Sequence, residues 1–200
     1  MKTPLFGLAI LLLLAAGCKK NVETKVPRVT GVFEDRVELD NGGKIKLPAA
    51  GSKEATTFFI VRHGEITSGT EPGEIMQTLT KEGTIRAQTV AQLFSNVLVN
   101  AVLAPMTPFA TEFGQPTADR QGTKVFNYNA RDYGAFLDYT FVDQFGEKFV
   151  VIGYANSIPE LLHTLTLGEQ FPLIPEGQFD DLWVVISKKR GESVVHHLKY

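Results

Sequence analysis

A chain of 200 residues with 44% hydrophobic content has room for one globular domain plus appendages, and no second catalytic domain is expected. Its formal charge of −2 at pH 7 lacks the basic footprint that nucleic acid requires.

The first segment reads as separate from the fold. Lys2 precedes an apolar run from Leu5 to Ala16, and the small residues Ala15, Ala16 and Gly17 close it before Cys18, the pattern of a signal peptide over residues 1–17. Cys18 is the only cysteine, and LLAAGC resembles the lipobox of bacterial lipoproteins. That resemblance implies a lipidated Cys18 at the mature N-terminus and a membrane contact through a lipid anchor in the cell envelope. Lys19, standing where Asp would signal retention, points to the outer membrane facing the periplasm, by analogy with lipoprotein sorting. The competing reading is an ordinary secretory signal cut near Gly17, which would leave a stray thiol of little structural use in an oxidising compartment. More than one acyl chain anchors durably, whereas a single chain is marginal. Without residues 1–17, nineteen basic residues face twenty-two acidic ones, a net charge of −3. No later stretch approaches the length needed to span a bilayer, so a soluble domain on a tether is expected.

Residues 18–27 are polar and read as that tether. From 28 to 50, apolar and polar residues alternate around Asp40-Asn41-Gly42-Gly43, with Val37 and Leu39 before the turn and Ile45 and Leu47 after it. Asn-Gly between alternating runs predicts an N-terminal β-hairpin, packed on the edge of a main domain over 56–200. In that domain strands are expected at 57–62, 101–104, 124–128 and 148–153. Helices are expected behind Thr80, with Ala87, Val90, Phe94 and Val97 on one face, and over 132–145, with Phe136, Leu137 and Phe141 aligned. A third should start at Ser157-Ile158-Pro159-Glu160, which has the form of a capping box with Pro just inside the helix. LWVVIS and SVVHHLKY flank KKRGE as a closing hairpin whose last strand runs antiparallel. The alternation predicts a three-layer α/β/α domain with a mostly parallel sheet.

Within it, FFIVRHGE carries the most chemistry. An apolar run from Phe58 to Val61 stops abruptly at Arg62, His63, Gly64 and Glu65. A buried strand would deliver a cation and an imidazole to the carboxyl edge of the sheet, where open α/β folds bind ligands. Gly64 would let the backbone turn tightly and leave room for a ligand. Read without context, the pair favours a plainer account, with Arg62 a surface charge and His63 a hydrogen-bonded loop residue. The quartet, however, strongly resembles the signature of the histidine phosphatase (phosphoglycerate mutase-like) superfamily. LTKEGTIRAQ, YNARD, VVIGYANSIPELLHTL, QFDDLWVV and the closing HHLKY are also similar to segments of that family, so the likeness covers most of 56–200. It implies His63 as the nucleophile that takes up a phosphoryl group, Arg62 as the phosphate clamp, a phosphate or phosphomonoester ligand, and no cofactor.

Two departures from the family pattern matter. Tyr154 stands after Gly153 where a second His is usual. The segment VLAPMTPFATEFGQPTA resembles the usual Ser-Pro-x-x-Arg-x-x-x-Thr-Ala stretch, yet neither Pro108 nor Phe113, the two alignments for its Arg, carries a charge. A histidine attacking a phosphate dianion needs its negative charge neutralised and its equatorial oxygens held. Arg serves through its planar fork of donors, whereas Tyr154 offers one neutral hydrogen bond. Arg120 and Arg131 are candidate substitutes for the missing cation, or else solvated surface charges. Glu65, Glu71 and Glu74 are candidate proton donors, or else solvated carboxylates. His163 reads as a packing or surface residue, and His196 and His197 alternate faces on the last strand, so they cannot share a site. No second cluster supports a metal site.

These readings together predict an envelope lipoprotein with an eroded phosphatase site that keeps Arg62 and His63 and binds phosphate or another anion. The alternatives are a slow phosphomonoesterase working through a phosphohistidine at His63, and a non-enzymatic module whose hairpin or 104–118 segment contacts an unidentified envelope protein.

Overall fold

The computed structural model describes residues 25–69 and 76–200. Cys18, Glu71 and Glu74 lie outside the described residues, as do the expected signal peptide and most of the tether.

Two sheets form. The first holds β1 (Val29–Val32), β2 (Arg36–Leu39) and β3 (Lys44–Lys46), antiparallel and in the order β1-β2-β3. The predicted hairpin is β2–β3, and Gly42 takes the positive φ of 80° that its turn requires. β1 is an addition to it. Gly31 interrupts β1, and its register against β2 slips between Val29 and Gly31, so strict alternation does not reveal the strand.

The central sheet contains β4 (Thr56–Arg62), β5 (Ala101–Pro105), β6 (Val125–Tyr128), β7 (Lys148–Gly153), β8 (Asp181–Lys189) and β9 (Glu192–Lys199) in the order β6-β5-β7-β4-β8-β9. β4 through β7 run parallel, while β8 runs antiparallel to β4 and β9 antiparallel to β8, closing the sheet as a hairpin. β4 is buried at every position, as expected of a strand covered on both faces.

Alternate residues of β4 enter two different cores. Phe59 and Val61 join α1 (Lys81–Leu93), α2 (Pro108–Gln121) and the small sheet, whose Val32, Val37 and Leu47 belong to the same cluster. Phe58 and Ile60 join α3 (Gly134–Asp138) and α4 (Ser157–Thr166) through Phe136, Leu137, Leu161 and Leu165. The architecture is therefore α/β/α, with the small sheet docked on the α1–α2 face.

Thr80 caps α1 as predicted, its hydroxyl accepting from Gly83 N at 3.1 Å. The helix expected over 132–145 is shorter in its α part: α3 passes into a π turn at Tyr139–Asp143. At α4 the capping-box reading needs correction. Asn156 is the residue before the helix, and the Ser157 hydroxyl instead accepts from Tyr154 N at 2.8 Å, so it shapes the β7–α4 turn. The altered 104–118 segment runs from the end of β5 into α2, which takes up its residues from 108 onward. Pro108 starts it where a missing N–H costs nothing, and Pro116 sits in its interior.

Candidate active site around His63

β4 and β7 are parallel neighbours in a register that sets Arg62 beside Gly153, and His63 N donates to Gly153 O at 3.1 Å. The residues just past both strands, His63 and Tyr154, therefore emerge side by side at the carboxyl edge of the sheet. Their rings meet edge to face, with centroids 5.8 Å apart.

Gly64 acts differently from the sequence-based expectation. Its φ is not positive; a Cβ there would come within 2.8 Å of Gly83 Cα and 2.9 Å of Gly83 O. At Gly83 a Cβ would lie 2.2 Å from Glu65 O. The two glycines let the signature loop rest directly on the first turn of α1, and the room they make is filled by backbone and not by ligand.

His63 is 6% exposed. Its Nδ1 lies 2.7 Å from Gly64 O, which only an Nδ1–H donor satisfies, so Nε2 carries the lone pair. Burial lowers its pKa to about 4 and the Arg62 cation pushes the same way, against the opposing hydrogen bond to Gly64 O. At neutral pH this imidazole is uncharged, with Nε2 free of a proton, the form a nucleophile requires.

Arg62 is also buried, at 8% exposure. Its Nη1 donates to three main-chain carbonyls, Pro175 O at 2.9 Å, Glu176 O at 2.8 Å and Gln178 O at 3.0 Å. The guanidinium carbon stands 4.2 Å from the centroid of the Phe179 ring. Nε is buried with no hydrogen-bond partner. Desolvation lowers the pKa of Arg62 without removing its charge.

The other flank of His63 is aromatic. Phe109, from the first turn of α2, packs its ring 4.8 Å from the imidazole and 6.0 Å from Tyr154. The Tyr154 hydroxyl is 3.1 Å from Thr107 Oγ1. Phe113 is fully buried one turn further along α2, and Pro108 is exposed at its start, so neither position brings charge to the imidazole.

The substitute cations are elsewhere. Arg120 lies in the last turn of α2, about 18 Å along the axis from Pro108 and so away from this edge of the sheet. Arg131 is exposed and follows β6, three strands or roughly 14 Å from β4. Arg86 on α1, not among the candidates drawn from the sequence, is nearer: its guanidinium stands 5.5 Å from the same Phe179 ring. It is consumed by Glu65, which it grips through Nε at 3.0 Å and Nη2 at 2.6 Å. The hydrogen bonds from Arg86 hold Glu65 below the usual carboxylate pKa, which makes it a poor proton donor near neutral pH. The signal for Arg86 was its spacing: it lies three residues after Gly83, on the stripe that meets the signature loop.

His163 is exposed, with Nδ1 2.9 Å from Glu169 O. His197 stacks on Trp183 with centroids 5.0 Å apart and places Nε2 2.6 Å from Asp181 Oδ1, while His196 takes the opposite face. No group of three His, Cys, Asp or Glu among the described residues could hold a metal ion.

No family model matches this chain, and no curated protein does. Solved structures do. The protein histidine phosphatase SixA complexed with tungstate is 16% identical over 72% of this chain and 96% of its own, with a TM-score of 0.58. A putative phosphohistidine phosphatase SixA from Nakamurella multipartitia gives 15% identity over 75% and 95%, TM-score 0.50. A putative alpha-ribazole-5'-P phosphatase from Escherichia coli gives 14% over 74% and 97%, also at 0.50. The fold is that of the histidine phosphatases.

Proposed function

We propose that this protein is an envelope lipoprotein built on the histidine phosphatase fold, with an intact histidine and a degenerate phosphate cage. It binds phosphate or a related oxyanion weakly and turns phosphomonoesters over very slowly. The observation that carries this reading is the ring packing of Phe109 and Tyr154 against His63, at 4.8 and 5.8 Å, where a phosphoryl group would need charged donors. Each preorganised donor lost typically costs about 100- to 1,000-fold in turnover. The tungstate held by the SixA neighbour supports a phosphate-like ligand. LLAAGC supports lipidation at Cys18, which mass spectrometry of the native N-terminus tests; an unmodified N-terminal peptide would overturn it.

The decisive assay measures hydrolysis of a generic phosphomonoester by wild type, His63→Ala and Tyr154→His. Wild type is expected near the buffer rate, with little recovery in Tyr154→His because the second Arg remains absent. Robust hydrolysis that vanishes in His63→Ala would overturn the proposal. It would favour the second reading, a phosphomonoesterase acting through a phosphohistidine. That reading draws on one feature of the site, the Gly64 carbonyl that fixes Nδ1 and leaves Nε2 unprotonated.

A further inference from the structure

The segment Pro175–Phe179 lies in the connection from α4 to β8, and it has no secondary structure of its own beyond a turn in which Gln178 N donates to Pro175 O at 3.0 Å. It is nonetheless tied at both ends. On its amino side, Ile174 is buried in the α3–α4 core and its N–H donates to Ala155 O at 3.3 Å, one residue past Tyr154. On its carboxyl side, the Tyr200 hydroxyl donates to Phe179 O at 2.7 Å, and the Gln178 side chain bonds the buried carboxylate of Asp181. Asp181 in turn takes Lys199 Nζ at 2.7 Å and His197 Nε2 at 2.6 Å.

A strap pinned this way presents three carbonyl oxygens to one guanidinium nitrogen and lays a ring against the guanidinium plane. A free arginine side chain has many rotamers, and fixing one costs conformational entropy. Here three acceptors on Nη1 and the Phe179 face remove that freedom before any ligand arrives. They leave Nε as an unpartnered, water-excluded donor on a cation adjacent in sequence to His63. A buried donor without an acceptor is costly and calls for one.

We propose that Pro175–Phe179 is a positioning strap for the anion clamp: it holds Arg62 by Nη1 and its guanidinium face so that Nε is offered to an oxyanion at His63. Phe179 and the strap carbonyls are positioning groups, acting only through Arg62. The clamp half of this inference rests on the anion-binding reading above, whereas the holding of Arg62 by the strap does not.

Two measurements separate those halves, both on the soluble chain from Lys19 onward in wild type, Phe179→Ala and the volume-conserving Phe179→Leu. The first is the hydrogen exchange of the Arg62 Nε proton by 15N NMR, with no ligand added. Slow exchange in wild type and at least tenfold faster exchange in both variants is expected. Equal rates in all three would overturn the strap. The second is calorimetric titration with tungstate. Loss of the cation–π face should weaken binding about threefold to tenfold in both variants, and pairing either with Arg62→Lys should add little further. Unchanged or tighter binding in the Phe179 variants would overturn the clamp role. If wild type protects the Nε proton yet takes up no tungstate at millimolar concentration, the strap holds Arg62 as proposed, while the clamp role and the anion-binding reading both fall.

Discussion

On the β4 side of His63 the neighbours are polar and, Arg62 Nε apart, partnered: Gly64 O takes Nδ1, three strap carbonyls take Arg62 Nη1, and Glu65 takes Arg86. On the β5–β7 side the neighbours are the rings of Phe109 and Tyr154, with a single hydroxyl contact to Thr107. The two flanks were built by different means. One fixes charge by giving each cation a partner, and the other excludes water by packing rings. The combination keeps the imidazole neutral and shielded, which on the reading proposed above would suit a nucleophile but not a dianionic ligand.

Placing a cation on the aromatic flank should have the largest effect. Phe113→Arg would put a charge in a fully buried site whose ring packs under Gly64, combining loss of a core aromatic with an unpaired buried ion. A loss of about 4 kcal/mol or more in urea unfolding is expected, with no gain in hydrolysis. A stable and active Phe113→Arg would show that this flank can still take up the cationic role.

The polar flank predicts a pH signature. With its folded pKa near 4, below the ordinary 6.5, His63 binds fewer protons folded than unfolded between those values. Its contribution to stability is therefore complete above about pH 6.5 and is lost as pH falls towards 4, by up to about 3 kcal/mol. Comparing wild type with His63→Gln by chemical denaturation across that window isolates the effect, because His196, which burial also lowers, is common to both. Parallel profiles would mean that the imidazole is not shielded. The smallest change is Tyr154→Phe, which removes only the bond to Thr107 and should cost about 1 kcal/mol of stability while leaving the ring contact in place.

Continuous apolar runs made β4, β5 and β7 legible in the sequence, and RHGE at the end of β4 placed the imidazole at the right edge. Thr80 gave the start of α1 because its cap is local. α2 was not legible, since Pro116 inside a helix contradicts the local pattern and is tolerated only through packing. Ser157 looked like a cap, but its hydroxyl serves a different N–H only three residues away. The hold on Arg62 could not be read at all: its acceptors are backbone carbonyls 113 to 116 residues downstream, which any side chain could have supplied.

Lys148 opens β7 with its side chain only 1% exposed, and its ammonium meets Glu34, from the turn between β1 and β2, at 2.5 Å. The same carboxylate takes Leu98 N at 2.8 Å. The small sheet thus supplies the counter-ion of the central one. Cutting the chain between residues 47 and 56 and letting the first piece go would leave the Lys148 ammonium without its carboxylate and bare the partners of Val32, Val37 and Leu47 in the main core. For all its resemblance to an appendage, the N-terminal sheet is not a detachable module, and gene trimming or recombination that spared only residues 56–200 would not leave a working unit behind.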